Sequence, residues 1–354
     1  MDSASTFQGA RICVVGVGGG GGNAVDAMIR AGLEGVETVA LNTDIQALHR
    51  SSARARFQLG STLTRGLGAG ANPEVGREAA LSDRDRIAEL LSGADMVFVC
   101  AGLGGGTGTG AAPVVAEMAR HAGALTVGVA TLPFRFEGRR RARLAQDGLE
   151  HLRAAVDTLV TIPNERLLSM VNAKTRMADA FAMVDEVVMR GVRGVADLIR
   201  GEGRVNVDFA DVRTILEGRG PALLSVGQST GEHRMLEAVQ AAIGSPLIHD
   251  ATLGGARYML MNVEGPEDLT LFEVHEAATL VHEEANEEVD MIWGWRIEPS
   301  LGDAVRVTLL ATGFEDAPGS RPPTRPRRAP PEPRKHKKNT EDSYDLPTFF
   351  RNAD

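Results

Sequence analysis

The sequence contains very little lysine. Of its 354 residues only Lys174, Lys335, Lys337 and Lys338 are lysines, and none precedes position 174. A Walker-type phosphate-binding loop requires Gly-Lys followed by Ser or Thr, and that motif is absent. If the first half of the chain binds a nucleotide, we expect backbone amides to hold most of it.

The sequence is also poor in cysteine, aromatic residues and long apolar runs. Its two cysteines, Cys13 and Cys100, fall in short apolar segments, so we expect buried thiols in a reducing cytoplasm and no disulfide. Aromatic residues make up 4% and hydrophobic residues 43%, which is typical of a globular protein with an aliphatic core. No stretch approaches 18 consecutive apolar residues, and residues 1–10 lack a secretion signal's basic and apolar regions.

Charge is distributed unevenly along the chain. Residues 317–340 hold eight Lys or Arg and one Glu, a net charge of +7, and residues 341–354 carry −3. Subtracting both from the total of −9 leaves −13 on residues 1–316. An acidic body of this kind argues against nucleic-acid binding by the folded part.

The most informative stretch is a glycine-rich loop between two apolar runs. Residues 96–102 predict a buried strand, residues 111–121 predict a helix with Pro113 in its first turn, and residues 125–130 predict a second strand. The loop offers closely approaching backbone N–H groups and two threonine hydroxyls at a helix N-terminus, which is typical of a phosphate site. A flexible Gly/Thr turn is the less favoured interpretation. The loop residues are Gly104, Gly105, Gly106, Thr107, Gly108, Thr109 and Gly110.

Two further glycine loops precede it. The first follows a strand at residues 11–15, contains Gly19, Gly20, Gly21, Gly22 and Asn23, and leads into a helix predicted from Ala24 to about Ala31. Alone it resembles a dinucleotide fingerprint, and Asp44 after the next strand, residues 36–41, keeps an NAD-dependent oxidoreductase open. The second loop, residues 66–76, includes Gly70 and Ala71. Three such loops at successive strand ends favour a site that binds a triphosphate, because a dinucleotide site needs only one.

The centre of the chain predicts a long amphipathic helix over residues 177–200, because apolar residues recur every three or four positions. Periodicity alone makes Phe181 a core residue. Phe181 and Asp185 are four apart, so they project together; an aromatic face could stack on a base and the carboxylate could accept two guanine N–H bonds. Glu137 and Arg141 also lie on one helical face, where a surface ion pair is the simplest interpretation.

A short acidic segment follows that helix. Asp208 is expected to be an N-cap, with Asp211 in the first turn, where the helix dipole favours a carboxylate. The same geometry exposes two carboxylates and the Asn206 amide at a helix tip. Residues 221–315 then predict a second α/β unit, with strands near residues 223–228, 258–263, 291–297 and 305–312 and helices near 232–243 and 271–285.

Together these motifs resemble the tubulin/FtsZ superfamily and, within it, the FtsZ family of bacterial cell-division GTPases. The resemblance runs from about Arg11 to Phe314 and resumes in the last dozen residues. It implies an α/β fold with a Rossmann-like parallel-sheet GTPase domain, a long central helix, a second smaller α/β domain, a disordered linker and a C-terminal peptide. The implied ranges are a disordered N-terminus (1–10), GTP-binding domain (11–175), connecting helix (176–204), C-terminal domain (205–315), basic Pro-rich linker (316–340) and partner-binding peptide (341–354).

The resemblance also implies the roles of individual residues. GTP or GDP would be held by the three loops and by Glu137, Arg141, Asn164, Phe181 and Asp185, with Mg²⁺ bound through the nucleotide and no metal ligated by the protein alone. Asn206, Asp208 and Asp211 would enter the next subunit's nucleotide site and orient the attacking water. GTP hydrolysis would need positioning and charge stabilisation more than a protein nucleophile.

The implied partners are other copies of the chain, joined head to tail, because such a contact does not close by symmetry and makes filaments. Division adaptors and membrane tethers would bind the peptide from Tyr344 to Arg351, division-site inhibitors would act on the protein, and membrane contact would be indirect. The implied location is the cytoplasm at the mid-cell division ring. A DNA-segregating filament relative stays open, although such relatives usually lack the terminal peptide. A non-hydrolysing paralogue would lose the acids at 208 and 211, and both are present.

Overall fold

The computed structural model describes residues 9–172, 174–200, 203–247, 253–285 and 288–314. All of them belong to one compact unit. The expectations for residues 1–8, for the linker at 316–340 and for the peptide at 341–354 lie outside the described residues. The division of the chain into domains stays a prediction.

The described residues form an α/β fold around ten strands. The strands are β1 (Ile12–Val17), β2 (Glu37–Asn42), β3 (Ala55–Gln58), β4 (Met96–Gly102), β5 (Leu125–Leu132), β6 (Thr158–Pro163), β7 (Gly220–Ser229), β8 (Tyr258–Gly265), β9 (Asp290–Ile297) and β10 (Val305–Thr312). They line up in the order β3-β2-β1-β4-β5-β6-β7-β10-β8-β9. From β3 to β6 all neighbours are parallel, which matches the predicted Rossmann-like sheet.

The second half of the sheet changes direction at β10. β7 begins parallel to β6, but its later residues pair antiparallel with β10, which also pairs antiparallel with β8. β8 and β9 are parallel. All four strands predicted in this half are present. Their ends lie within two residues of the predicted ends, except that β7 begins at Gly220 rather than at residue 223.

Helices cover both faces of the sheet in the part of the chain that the structure describes. They are α1 (Gly18–Arg30), α2 (Ile45–Arg50), α3 (Ser61–Thr64), α4 (Pro73–Ser82), α5 (Arg84–Leu91), α6 (Thr107–His121), α7 (Arg139–Ala155), α8 (Asn164–Leu167), α9 (Met177–Ile199), α10 (Phe209–Leu216), α11 (Arg234–Ile243) and α12 (Leu271–Glu284). One face packs against α1, α9 and α10, and the other against α4 to α7. Cys13 and Cys100 are buried free thiols, as predicted.

Two helices begin earlier than predicted. α1 begins at Gly18 rather than Ala24, and α6 begins at Thr107 rather than Ala111, so Pro113 lies in the helix interior and not in its first turn. Glycine is a poor helix former, but a Cβ on Gly21 would strike the backbone carbonyl of Cys100. Close packing of the first turn of α1 on the sheet therefore overrides the local preference.

No helix in the described ranges is long and apolar enough to cross a membrane.

Candidate functional site

A cavity of about 440 Å³ opens at the carboxyl edge of the parallel strands. Its walls come from the start of α1, the segment after β2, the loop before α4 and the start of α6. This is where the crevice of an open parallel sheet binds ligands. The lining residues are Gly18, Gly19, Gly22, Asn23, Asp26, Ala40, Leu41, Asn42, Asp44, Ala47, Leu48, Arg50, Ser51, Gly68, Ala69, Ala71, Gly106 and Thr107.

The first glycine loop is the first turn of α1. Gly19 and Gly22 have open space where a side chain would stand, and both line the cavity with Asn23. Gly20 and Gly21 instead pack against the backbone of Gly102 and Cys100. The first N–H groups of a helix have no partner inside the helix, so α1 presents free donors and a partial positive charge at the cavity wall.

The second loop carries unusual backbone geometry. Gly70 and Ala71 both adopt left-handed conformations, with φ of 57° and 56°. A non-glycine residue there costs roughly 1 kcal/mol or more, so packing must hold Ala71 in place. Ala71 lines the cavity, which is where the sequence placed it.

The third loop is fixed by its own hydrogen bonds and packing. The Gly104 N–H donates to Thr109 Oγ1 at 2.8 Å, and Thr107 Oγ1 lies 2.7 Å from Thr43 Oγ1. Thr107 and Gly106 line the cavity, whereas Thr109 braces the loop from within. A Cβ on Gly108 would meet the Gly102 carbonyl at 2.5 Å, and Gly105 has open space around it. The loop is therefore a rigid cradle rather than a flexible turn.

Glu137 and Arg141 lie against this third loop. Their carboxylate and guanidinium form an ion pair at 2.9 Å, and Glu137 also accepts the Phe134 N–H at 2.9 Å. Gly104 is packed against Arg141: a Cβ there would lie 2.7 Å from the Arg141 Cγ and backbone oxygen. Glu137 sits in a short 3₁₀ turn just before α7, so the two residues do not share one continuous helix as the spacing suggested.

Asn164 and Phe181 lie on elements next to the cavity but do not line it. Asn164 opens α8 after the carboxyl end of β6, is 5% exposed, and its Oδ1 has no hydrogen-bond partner among the described residues. A buried amide oxygen of this kind is suited to a ligand donor. Phe181 is 40% exposed and meets Phe134 edge to face at 5.5 Å, so it is not the core residue that periodicity suggested.

Asp185, one turn along α9 from Phe181, is half-buried beside Asp26 and Arg30. Burial raises the pKa of the Asp185 carboxyl to about 6; the charge of Arg30 opposes this rise and that of Asp26 adds to it. Asp26 is itself a cavity residue. Asp185 therefore lies beside the wall formed by α1, with a carboxylate that gains from a hydrogen-bond donor.

Several cavity residues were not predicted as site residues. Asn42, the last residue of β2, lines the cavity, as do Asp44 and Asp26. The Asp26 Oδ1 accepts hydrogen bonds from Ser51 Oγ and Ser52 N at 3.0 and 2.7 Å. The position of residues 42–44 at a parallel strand's carboxyl end could have identified them. Asp44 Oδ1 accepts the Gln46 and Ala47 N–H groups, so this carboxylate caps α2.

The acidic segment lies far from this cavity within one chain. α9 begins near Phe134, passes Asp26 at Asp185 and continues about 21 Å to Ile199. The next residue, Arg200, sits against Gly35, just before β2 begins. The carboxyl half of α10 also reaches the amino edge, where Arg213 Nη2 donates to the Asp95 carbonyl preceding β4 at 3.4 Å. Asn206, Asp208 and Asp211 therefore lie beyond the carboxyl end of α9, toward the amino edge of the sheet and away from the cavity.

The side chains of Asn206, Asp208 and Asp211 are all exposed. Asn206 Oδ1 accepts the Gly203 N–H at 2.8 Å. Asp208 stands at the N-cap position of α10, but its side chain makes no capping hydrogen bond, contrary to the simple capping interpretation. Within the described residues neither the Asp208 nor the Asp211 carboxylate has a hydrogen-bond or ion-pair partner. Two free carboxylates on a fixed helix tip remain available to an external group.

Comparisons with known proteins agree with this geometry. Residues 11–172 match the Tubulin/FtsZ family GTPase domain, and residues 220–315 match the FtsZ family C-terminal domain. The empty FtsZ dimer of M. jannaschii is 46% identical with a TM-score of 0.83, covering 87% of this chain and 89% of that one. A mutant of that FtsZ has the same identity and TM-score, covering 86% and 92%. The GTPγS-bound CetZ2 protofilament of Haloferax volcanii shares the fold at 23% identity and a TM-score of 0.73, covering 87% and 94%.

A parallel sheet with glycine cradles at its carboxyl edge and an antiparallel second half defines a tubulin-like nucleotide-binding protein. The chain belongs to the FtsZ family of the tubulin/FtsZ superfamily. It is a GTPase of the cell-division cytoskeletal class, in a family whose active site is typically completed by the adjacent subunit. The NAD-dependent oxidoreductase is thereby excluded, and the narrower assignment to bacterial members stays a prediction.

Proposed function

We propose that this GTPase polymerises head to tail into the filaments of a cytoplasmic mid-cell division ring, and that hydrolysis at the subunit interface drives filament turnover. One observation carries the proposal: the glycine cradle and the free carboxylates lie on opposite edges of the same sheet. The six- and seven-residue strands between them span roughly 20 Å. A single chain therefore cannot bring Asp208 and Asp211 to its own cavity, whereas stacked copies can.

On the cavity side, the chain's residues bind and orient GTP. The first-turn N–H groups of α1 and α6 and the loop at Gly70 and Ala71 suit the phosphates, because backbone amides at helix N-termini hold anions without lysine. Asn164, Phe181 and Asp185 suit the ribose and base, with Asp185 accepting the guanine N–H pair. Glu137 and Arg141, paired beside the third loop, complete the nucleotide side.

On the opposite edge, Asn206, Asp208 and Asp211 of the next subunit orient the attacking water. Asp208 and Asp211 are exposed and have no partners among the described residues, so both carboxylate charges are available to polarise that water once the contact between subunits excludes bulk solvent. No protein nucleophile is needed, because phosphoryl transfer depends on positioning and on charge stabilisation.

Mg²⁺ is proposed to bind through the nucleotide phosphates. In the described ranges no group of three or more His, Cys, Asp or Glu side chains is arranged to hold a metal ion. The carboxylates nearest the cavity, Asp26 and Asp44, each already accept two hydrogen bonds from the chain. When bound, the ion would neutralise phosphate charge, as it does in other phosphoryl-transfer sites.

The remaining proposals rest on the sequence alone. The basic linker at 316–340 is a tether, and the peptide from Tyr344 to Arg351 binds division adaptors and membrane tethers, so membrane contact is indirect. Division-site inhibitors act on the protein. The acidic body, with a net charge of −13, supports the absence of specific nucleic-acid binding.

The decisive experiment is phosphate release from GTP as a function of protein concentration, with Asp211→Ala alongside. We expect a rate per molecule that rises from near zero above a threshold in the unmodified chain. In Asp211→Ala we expect the rate to vanish while GTP-dependent pelleting persists. A rate per molecule that is constant at all dilutions would mean a self-contained GTPase and would overturn the shared site.

A further inference from the structure

A buried ionic network ties the carboxyl half of α9 to β8 and β9. Its acids, Asp197, Glu264 and Glu298, are 3–8% exposed. Arg296 on β9 donates to Asp197 and, at 2.8 Å, to Glu298; Arg193 on α9 lies 3.2 Å from Asp197 and 2.9 Å from Glu298. Three carboxylates taken out of water in one place are costly, so the network needs a reason beyond filling space.

The network also reaches the nucleotide-binding half. Arg193 Nη1 donates to the Ala31 carbonyl at the end of α1 at 3.4 Å. Arg200, which lies 3.7 Å from Asp197, packs against Gly35 in the turn before β2. The charges of α9 thus contact the first helix on one side and β9 on the other.

β9 in turn holds the segment that leads to the acidic tip. The Trp295 carbonyl accepts the Arg204 and Val205 N–H groups at 2.8 and 3.2 Å, and the Trp295 N–H donates to the Val205 carbonyl at 3.1 Å. Arg296 is the next residue along β9. The backbone preceding Asn206 is therefore bonded to the strand position adjacent to the ionic network.

We propose that Arg296, held by Asp197 and Glu298, is a positioning residue for hydrolysis. It sets where β9 sits along α9, and through the Trp295–Val205 pairing it sets how far Asn206, Asp208 and Asp211 reach into the next subunit's site. This inference rests on the proposed function of those three residues. A misplacement of about 1 Å is enough to reduce turnover by up to about 100-fold.

Removal of Arg296 should leave the protein folded. Without it, Asp197 keeps Arg193 and Arg200, and Glu298 keeps Arg193 and the Ser300 hydroxyl at 2.7 Å. No buried carboxylate loses its last partner, so the severe penalty of an unpaired buried charge does not arise. What is lost is the direct contact of β9 itself with α9 through Arg296 and Asp197, while Arg193 and Glu298 still pair just beyond the end of β9.

A matched control lies in the same network. Arg306 on β10 pairs with Glu264 at 3.1 Å and is about as buried as Arg296, but it is not on β9 and does not contact the segment before Asn206. Arg306→Met removes a guanidinium of similar burial, and it leaves Glu264 only Arg193 at 3.9 Å. A purely structural role for the network predicts that this variant is affected at least as much as Arg296→Met.

The test compares Arg296→Met, Arg296→Lys and Arg306→Met with the unmodified chain. For each, the GTP affinity of the unassembled protein, the assembly threshold and the turnover per assembled subunit are measured. We expect Arg296→Met to reduce turnover about 10- to 100-fold, with affinity and threshold within about two-fold of the unmodified values. Arg296→Lys should recover part of that loss, and Arg306→Met should match the unmodified chain.

Equal losses in Arg296→Met and Arg306→Met, or a loss in GTP affinity that matches the loss in turnover, would overturn the positioning role. Asp211→Ala is run in the same series. If Asp211→Ala keeps full turnover, the shared site itself fails, whatever the Arg296 variants do. If Asp211→Ala is inactive and Arg296→Met is fully active, only the positioning inference fails.

Discussion

The two edges of the parallel sheet are built in opposite ways. At the carboxyl edge the glycine loops are packed so tightly that Gly21 and Gly108 abut the carbonyls of Cys100 and Gly102. At the amino edge, beyond α9, Asp208 and Asp211 are exposed, charged and without partners in the described structure. In the proposed function, nucleotide binding therefore depends on backbone packing, whereas hydrolysis depends on side chains that do not contribute to the packing of the fold. Substitutions at the amino edge should therefore change mainly GTP turnover, and substitutions at the carboxyl edge should change mainly stability and nucleotide binding.

The largest expected effect is on the amino edge. Asp208→Ala should reduce GTP turnover about 100- to 1000-fold, the usual cost of losing one preorganised polar group. Because Asp208 makes no capping hydrogen bond, the free energy of unfolding should change by at most about 0.5 kcal/mol. Phosphate release and urea denaturation measure the two quantities. A stability loss of about 1 kcal/mol or more would show that Asp208 caps α10 after all.

At the carboxyl edge, substitution of a packed glycine should have its main effect on the free energy of unfolding. Gly21→Ala places a Cβ against the Cys100 carbonyl, a backbone atom that cannot rotate away. We expect the free energy of unfolding to fall by about 3 kcal/mol, measured by urea denaturation of the nucleotide-free protein. If the variant is as stable as the unmodified chain, the close approach of α1 to the sheet is not a structural constraint.

Asp185→Asn tests whether the carboxyl edge carries any unfavourable charge. Burial holds the pKa of Asp185 in the folded protein at about 6, above its usual value of 3.8. The unmodified protein therefore loses stability as the pH rises from the lower of these two values to the higher. The asparagine variant should therefore melt at a higher temperature than the unmodified protein at pH 7.5. That difference should shrink at pH 5, where Asp185 is mostly protonated.

The same variant should bind GTP more weakly, because asparagine cannot accept both guanine N–H bonds. Thermal melting without nucleotide at the two pH values, and nucleotide titration at pH 7.5, check the two halves of this prediction. A melting difference that does not depend on pH would contradict the raised pKa. Unchanged GTP affinity would remove Asp185 from the nucleotide site.

The smallest expected effect comes from Gly22→Ala, the matched control for Gly21→Ala. Gly22 lies one residue further along α1 with open space around it, so alanine should stabilise the folded protein by about 0.5–1 kcal/mol. The added methyl enters the cavity, so GTP affinity should fall nonetheless. Urea denaturation and nucleotide titration together show whether stability and binding move in opposite directions. A parallel loss of both would mean that Gly22 is packed like Gly21.

Much of the fold could be predicted from the sequence because its elements repeat their local patterns strongly. The apolar spacing of residues 177–200 predicted α9 to within one residue at its end, and the four strands predicted within residues 221–315 correspond to β7 to β10. The two helix starts that were predicted wrongly both lie in glycine-rich segments. Local propensity placed the start of α1 at Ala24, whereas packing against β1 and β4 continues the helix back to Gly18.

The candidate site was predicted in part. The residue types of the three loops and of the helix tip indicate their chemistry directly. Four of the cavity-lining residues were therefore predicted from the sequence, namely Gly19, Ala71, Gly106 and Thr107. Asn42 and Asp26 line the cavity but were not predicted, because neither lies in a glycine-rich loop. Asn42 reaches the cavity because β2 ends beside β1, and Asp26 reaches it because it lies on α1.

By itself the sequence predicted an anion site built from backbone amides, an aliphatic core, and two carboxylates and an amide at a helix start. Residue type and short-range spacing are enough for those conclusions, because they concern groups within a few residues of one another. Only the tertiary structure decided that the cradle and the carboxylates lie on opposite edges of one sheet, and that Arg296 links β9 to α9. These facts depend on contacts such as Arg296 with Asp197, 99 positions apart, and Arg213 with Asp95, 118 positions apart, and no local pattern encodes such contacts.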